Sequence, residues 1–419
     1  MYCVSLFISD RFETAMNISQ HTNRGVVIPC PESVEIDSSI PPENIAPGVI
    51  VHAGSRIRGA ATSLGPECVI GSEVPATVED CQLGHGVHLK GGYFSSATFL
   101  DQSEIGSGAH VRAGTLLEEQ TRAAHTVGLK QTIFFPFVIA GSLINFCDCL
   151  MAGGTGSRNH SEIGSSYIHF NFTPRQDKAT ASLVGDVPRG VMLDQPPIFL
   201  GGQGGLVGPV RIAYGTILAA GSICREDILD ENILVIPKPV VQKEIRNFNP
   251  SQYFDIHRIV YNNLLYIGNL HALIAWYRTA RYKYMSSDRY SLACHAGALA
   301  RIESGIHERI RQLDSFSDKL PESLELAKSL DAFPAEYRRR QTSFLSQWPS
   351  LKETLELSAP KNTGIEKRDV FLREWVTIDP DISYLDAIAQ LSPEGRNAGT
   401  EWLQAIVHYF SCLWNSDET

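Results

Sequence analysis

Two cationic residues raise the question of chemistry. In "RAGTLLEEQTRAAHTVGLK", Arg112 and Lys130 stand 18 residues apart. If that spacing is one turn of a coiled wall, the two side chains stack about 4.8 Å apart. Like charges held so close are unfavourable unless an anion sits with them. The same spacing equally suits two side chains that fan out into water. Further on, "YIHFNF" puts His169 and Asn171 on one side of a strand and Phe170 and Phe172 on the other. An apolar interior would take the phenylalanines, so His169 is expected to face outward, where a neutral imidazole can accept a proton. His160 is the second candidate base, and Asp148 and Glu162 are candidates to orient either one. For each histidine the competing reading is a hydrogen-bonded structural residue.

The elements that would position these residues show in a repeat. Leu200, Leu206, Ile212 and Leu218 are separated by six residues each time. The step recurs at Ile45, Val51, Ile57; at Leu64, Ile70; at Leu83, Leu89; and at Ile105, Val111, Leu117. A helix needs apolar residues every three to four positions and a strand every two. A step of six suits a short strand followed by a sharp corner, with glycine where positive φ is needed. Three such units close a triangular coil. The fold class expected is therefore mainly β, a left-handed parallel β-helix of hexapeptide repeats followed by an α-helical C-terminal domain. Residues 1–40 are expected to cap the coil, which spans 41–240 with a loop excursion at 173–197, and 246–419 to form the helical domain. A β-sandwich with many glycine turns fits the period less well.

Composition narrows the function classes. Hydrophobic residues make up 43% of the 419-residue chain and charged ones 20%, the balance of a soluble globular protein. A net charge of −10 argues against non-specific nucleic-acid binding while leaving room for a local basic pocket. No apolar run is long enough to span a membrane, and the start shows neither a basic leader nor a clear cleavage site. With nine irregularly spaced cysteines, a cytoplasmic location with reduced thiols is expected. The "CDC" of Cys147 and Cys149 has no second ligand pair at zinc-site spacing, so no metal is expected.

These residues resemble the acetyltransferase half of the bacterial bifunctional N-acetylglucosamine-1-phosphate uridyltransferase/glucosamine-1-phosphate acetyltransferase family. The likeness covers roughly residues 45–230, and "FPFVIAGSLINFCDCLMAGG" is also similar to UDP-N-acetylglucosamine pyrophosphorylase-related proteins. In that family an arginine and a lysine at the spacing of Arg112 and Lys130 hold the sugar phosphate. "HFNFTPRQDKATASLVGD" matches its acceptor segment, which implies Asn171 and Lys178, with Asn145, as acceptor contacts. "LGGQGGLVGPVRIAYGTILAAGS" matches the coil beside the coenzyme and implies Gly202, Gln203, Ala219 and Ala220 as contacts of acetyl-CoA or another acyl-CoA. A homotrimer acting on a sugar phosphate or nucleotide sugar is implied as well.

Three departures qualify the resemblance. The pyrophosphorylase domain is missing, with no "LAAGxGTR" loop. The family's catalytic histidine falls on Ser142, which needs help from another group to act as a base. The tyrosine of the acceptor segment is Phe172, and a glutamate near the lysine is Gly128. The expected function is an acyl-CoA-dependent transferase. The alternative is a nucleotide-sugar-binding module that has lost catalysis.

Overall fold

The computed structural model of the chain describes residues 17–171, 173–175, 177–236, 248–329 and 333–414. Its first half is a left-handed parallel β-helix of about 11 turns, and helices follow. Each coil makes three walls. The first carries doublets such as Glu104–Ile105, Arg122–Ala123, Ile139–Ala140 and Glu162–Ile163. The second carries Ala109–Val111, Ile168–Phe170 and Gly205–Val207, and the third Thr115–Leu117, Ser182–Val184 and Arg211–Ile212. Val127–Phe134 and Ile144–Met151 bend through the second and third walls, joining them into one sheet. Three edges result: a front edge between the first and second walls, a side edge between the second and third, and a back edge between the third and first.

The six-residue step works as the sequence predicts. Ile57, Val78, Phe94, Val111, Leu129 and Phe146 stack in register as one inward column, all fully buried. On the first wall the outward partner of each doublet is polar in coils such as those of Glu104, Arg122 and Glu162, and apolar but exposed at Phe199, Ile217 and Leu234. On the third wall it is apolar: Leu116, Ile133, Leu150 and Leu183 point outward yet are buried. A strand apolar on both faces is one covered on both faces.

The helices provide that cover. A first helix, α1 (17–23), lies at the N-terminal end, where Asn17 Nδ2 donates to Ile36 O at 2.7 Å. A short α2 (Val187–Gly190) on the back edge is capped by Asp186, which accepts from Arg189 N. Then come α3 (His257–Thr279), α4 (Arg289–Ser317), α5 (Leu320–Lys328), α6 (Ala335–Glu356), α7 (Ile365–Trp375), α8 (Tyr384–Gln390) and α9 (Pro393–Ser411). α4 lies along the third wall, and α3 is sandwiched between that wall, α4 and α9. Close approach depends on Gly297 in α4, where a Cβ would come within 2.3 Å of Gln82 Oε1.

The tightest clamp is ionic. Arg281 is buried between α3 and α4 against the back-edge residues Glu118 and Glu119, with Nη2 2.9 Å from Glu118 Oε2 and Nη1 2.5 Å from Glu119 Oε1. Tyr277 Oη donates to Glu118 Oε1 at 2.6 Å, and the guanidinium stacks 3.9 Å from the centre of the Tyr384 ring. Burial pushes the Glu118 carboxyl up against the opposing pull of Arg281.

The domain boundaries need correction in one place. The excursion expected at 173–197 is interrupted, because Ser182–Val184 pairs with Cys149–Met151 and forms a rung of the third wall. A further excursion, unforeseen, is the antiparallel hairpin of Gly154–Gly156 and Asn159–His160 on the back edge. The expected ends at 240 and 246 lie outside the described residues, as does most of the expected cap's first half.

Arg281→Met would strand two carboxylates in the buried back edge, a loss on the order of 3–5 kcal/mol. A depressed thermal midpoint is expected, largely restored when Glu118→Gln and Glu119→Gln are added. An Arg281→Met midpoint equal to that of the parent would show that the clamp does not hold the helices down.

Candidate functional site

Arg112 and Lys130 stand side by side on the outside of the second wall. The pairs His110↔Gly128 and Val111↔Leu129 set the register, and Arg112 N donates to Leu129 O at 2.9 Å. Lys130 in turn pairs with Cys147 in the next coil. Arg112 Nη2 reaches Cys147 Sγ at 3.7 Å, and that thiol lies 3.4 Å from Asn145 Oδ1. Among the described residues no carboxylate lies within ion-pair distance of Arg112 or Lys130. Burial and the charge of Asp148 push the Cys147 thiol up, while the two cations pull it down. Asn145 is exposed beside them.

Asn171 sits at the side edge and is tied to the helical domain. Its Nδ2 donates to Asp148 Oδ2 at 2.9 Å, and Asp148 Oδ1 accepts from the buried Arg309 of α4 at 2.7 Å. Arg309 also donates to Lys178 O at 3.2 Å, so the Lys178 backbone is held while its side chain is exposed. Asp148 therefore orients an amide and a guanidinium, not a histidine. Arg309 escaped the sequence reading, since nothing local marks one arginine of a charged helix as an inward strut.

His169 faces the opposite way from the expectation. It lies in the inward column in register with Leu206, 2% exposed, while Phe170 points to solvent; Phe172 lies outside the described residues. Its Nδ1 is 2.5 Å from Cys147 O, and its Nε2 is 2.7 Å from Ser182 Oγ. A carbonyl only accepts, so Nδ1 carries the proton and Nε2 accepts from the Ser182 hydroxyl. Burial lowers its pKa to about 4. Both nitrogens are taken inside the core, so His169 cannot take a proton from a substrate on the outer wall. His160 does not join the cations either. It sits on the back-edge hairpin, with Nδ1 3.0 Å from Ser157 O and Nε2 3.7 Å from Glu162 Oε2.

Ser142 turns out to have a partner that sequence reasoning missed. At the front edge its Oγ is 3.1 Å from Nδ1 of His125, an exposed residue in the preceding coil. Coils here advance by 17 residues, as Lys130↔Cys147 shows, and 17 back from Ser142 is His125. The same edge continues upward through Ser165, Gly202, Gln203, Ala219 and Ala220: Gln203 N donates to Ser165 O at 2.9 Å and Gly221 N to Gly202 O at 2.8 Å. Glycine at this edge is first a demand of the fold. A Cβ on Gly201 would lie 2.4 Å from Ala220 N, and one on Gly202 2.9 Å from Ser165 O.

From Thr126 at the front edge to Lys130 the strand advances four residues, about 13 Å of main chain at the usual rise. A charge-assisted contact of about 3 Å at either end leaves roughly 7 Å, the scale of one phosphorylated sugar ring. A cavity of about 440 Å³ between the back edge, α3 and α9 contains Arg189 and Arg211, but these are committed to Asp186, Glu231 and Asp227. Among the described residues no cluster of three or more His, Cys, Asp or Glu is placed to hold a metal ion. None of the described helices is long and apolar enough to cross a membrane.

No family model matches the chain. It is similar to the bifunctional protein GlmU of Trichlorobacter lovleyi, 26% identical over 220 residues covering 52% of this chain and 43% of that protein. The GlmU protein of Thermotoga petrophila is 25% identical over 212 residues (50% and 42%), and that of a Geobacillus species 23% over 236 (56% and 45%). The chain spans less than half the length of these relatives. Among solved structures, UDP-N-acetylglucosamine O-acyltransferase (LpxA) from Moraxella catarrhalis aligns with 48% of this chain and 66% of its own, at a TM-score of 0.23 and 14% identity.

His169 generates a pH prediction. Its native pKa of about 4 lies below the ordinary 6.5, so the unfolded chain binds a proton that the native imidazole refuses. Its contribution is fully present above pH 6.5 and is lost as the pH falls through about 4, on the order of 3 kcal/mol in all. In His169→Gln the fall in stability between these limits should be shallower by that amount, read as urea midpoints across the range. An unchanged slope would place the acid sensitivity elsewhere.

Proposed function

We propose that the chain is an acyl-coenzyme A-dependent transferase acting on an amino or hydroxyl group of a phosphorylated or nucleotide-linked sugar. The observation that carries this reading is the stack of Arg112 and Lys130, without a carboxylate partner among the described residues, in a chain of net charge −10. A phosphate relieves their mutual repulsion and takes charge-assisted hydrogen bonds from both. Asn145, whose Oδ1 accepts from the Cys147 thiol, presents its Nδ2 to a sugar hydroxyl. Asn171, its amide nitrogen fixed by Asp148, offers its Oδ1. Lys178 adds a third cation at the side edge. The acyl donor, acetyl-CoA or another acyl-CoA, is assigned to the front edge at Gly202, Gln203, Ala219 and Ala220, on coils beyond Ser142. The likeness of these residues to the acetyltransferase half of the bifunctional family supports the same reading.

A homotrimer belongs to it. The third wall is occupied by the chain's own helices, which leaves the first and second walls for contact between copies. Phe199, Ile217 and Leu234 form an exposed apolar ladder on the first wall, and Ile168 and Ile223 extend it around the front edge. The described cysteines are free thiols, in keeping with action in the cytoplasm.

The second reading, a binding module without catalysis, is favoured by two facts: Ser142 stands where a histidine is expected, and His169 is locked in the core. Thiol release from acetyl-CoA with a panel of amino-sugar phosphates and UDP-sugars separates the two. Turnover supports the transferase, and binding without turnover supports the module.

Lys130→Ala should weaken sugar-phosphate binding by about 1.5–3 kcal/mol, measured by calorimetry, without lowering the unliganded melting temperature. Unchanged affinity would remove the anion site. Light scattering should report three copies at micromolar concentration, and Ile217→Lys should disperse them. A stable parent monomer would refute the trimer.

A further inference from the structure

We propose that His125 is the proton acceptor for acyl transfer and that Ser142 is its positioning residue; the proposal rests on the transferase reading above. The two residues meet by construction. The front edge turns at Thr126 and again at Leu143, each with positive φ (59° and 60°), which throws the residue before it outward. Leu143 N donates to His125 O at 3.2 Å, and Ser142 N donates to Ser165 Oγ at 3.2 Å. Successive edges are thereby tied before the side chains touch. The Ser142 Oγ to His125 Nδ1 contact at 3.1 Å then fixes the ring plane. The tautomer that serves as base is the one whose Nδ1–H donates to the serine oxygen, which leaves Nε2 its lone pair.

No other described histidine is so placed. His169 has both nitrogens engaged in the core. His160 is on the back edge beside Glu162. His110 lies on the second wall, but its ring packs edge-on against Tyr93 at 5.3 Å, in the coil before that of Lys130. His125 stands on the front edge at the start of the strand that carries Lys130, one coil below Ser142 in the column that continues through Ser165, Gly202 and Ala220. An acceptor whose phosphate is held by Arg112 and Lys130 thus turns its far end toward His125.

The chemistry balances without any further reactant. The acceptor nitrogen or oxygen bonds to the thioester carbonyl carbon, and its proton passes to His125 Nε2. The carbon–sulfur bond then breaks, and the departing thiolate takes that proton back. Amine and acyl-CoA become amide and free thiol, with the imidazole neutral again. Ser142 touches neither reactant in this scheme. It holds the ring.

The test measures thiol release and coenzyme affinity on the full chain with acetyl-CoA and the acceptor that the parent turns over. His125→Asn should lower kcat by a factor on the order of 10²–10⁴, with coenzyme Kd within twofold. Ser142→Ala should lower kcat about tenfold at constant KM, and Ser142→Thr, which keeps the hydroxyl, should restore it. Circular dichroism and melting of each variant check that the coil is intact. His125→Asn within threefold of the parent kcat would overturn the assignment alone. Equal losses in Ser142→Ala and Ser142→Thr would remove the positioning role. A parent chain that binds acceptor and coenzyme yet releases no thiol overturns the transferase reading, and this proposal with it.

Discussion

Parallel backbone hydrogen bonds between successive coils, such as Arg112 N to Leu129 O and Ala124 N to Ala140 O, both 2.9 Å, set the geometry on which everything else depends. They fix one short distance between every residue and its counterpart a turn later. Inside, that distance lets columns of branched and aromatic side chains from the three walls stack in register and stay buried. At the front edge it leaves no room for a Cβ at Gly164 or Gly201. On the outside it forces Arg112 against Lys130 and brings His125 to Ser142. The same constraint thus makes the core, selects the glycines and brings the candidate site residues together on the surface.

The helical domain answers a different problem. A three-walled prism exposes three flat faces, and this chain makes one of them apolar. Sealing the third wall with α3 and α4 buries Leu116, Ile133, Leu150 and Leu183. It also introduces buried ions, Arg281 with Glu118 and Glu119, and Arg309 with Asp148. Such pairs add little net stability over apolar packing but are costly to break, so they fix where the helices sit. Through Asp148 the second pair extends to Asn171, and the position of α4 is thereby coupled to the side edge of the candidate acceptor site.

The period of six was readable from branched residues alone, and with it the prism and the inward column. The error at His169 came from judging a strand by its most hydrophobic residues. Six residues on from the inward Ile163 is His169, so the repeat itself placed the imidazole inside. The polar interior position is tolerable because Cys147 O and Ser182 Oγ satisfy both nitrogens, a fact no local pattern reveals. His125 was missed for a related reason. Its contact with Ser142 needs a coil of 17 residues, and the count from Arg112 to Lys130 gives 18. The cover over the third wall was not legible from its apolar doublets. Leu116–Leu117, Ile133–Phe134, Leu150–Met151 and Leu183–Val184 lie under helices, but Phe199–Leu200 and Ile217–Leu218 on the first wall read the same and leave Phe199 and Ile217 exposed.

Cys147 shows how closely interior and surface are joined. Its carbonyl accepts from His169 inside the prism, while its thiol meets Arg112 and Asn145 outside. One peptide therefore carries both the bond that satisfies the core imidazole and the residue that floors the cation stack. The inward histidine draws its serine partner from the third wall, at Ser182, where the neighbouring Leu183 lies under the helices. A chain of contacts thus runs from the helical domain through the core to the wall that carries Arg112 and Lys130 without a break. An apolar residue at 169 would fit the column but would leave Cys147 O without its side-chain donor behind the two cations. The polar core position is best understood as a fixture of the outer wall.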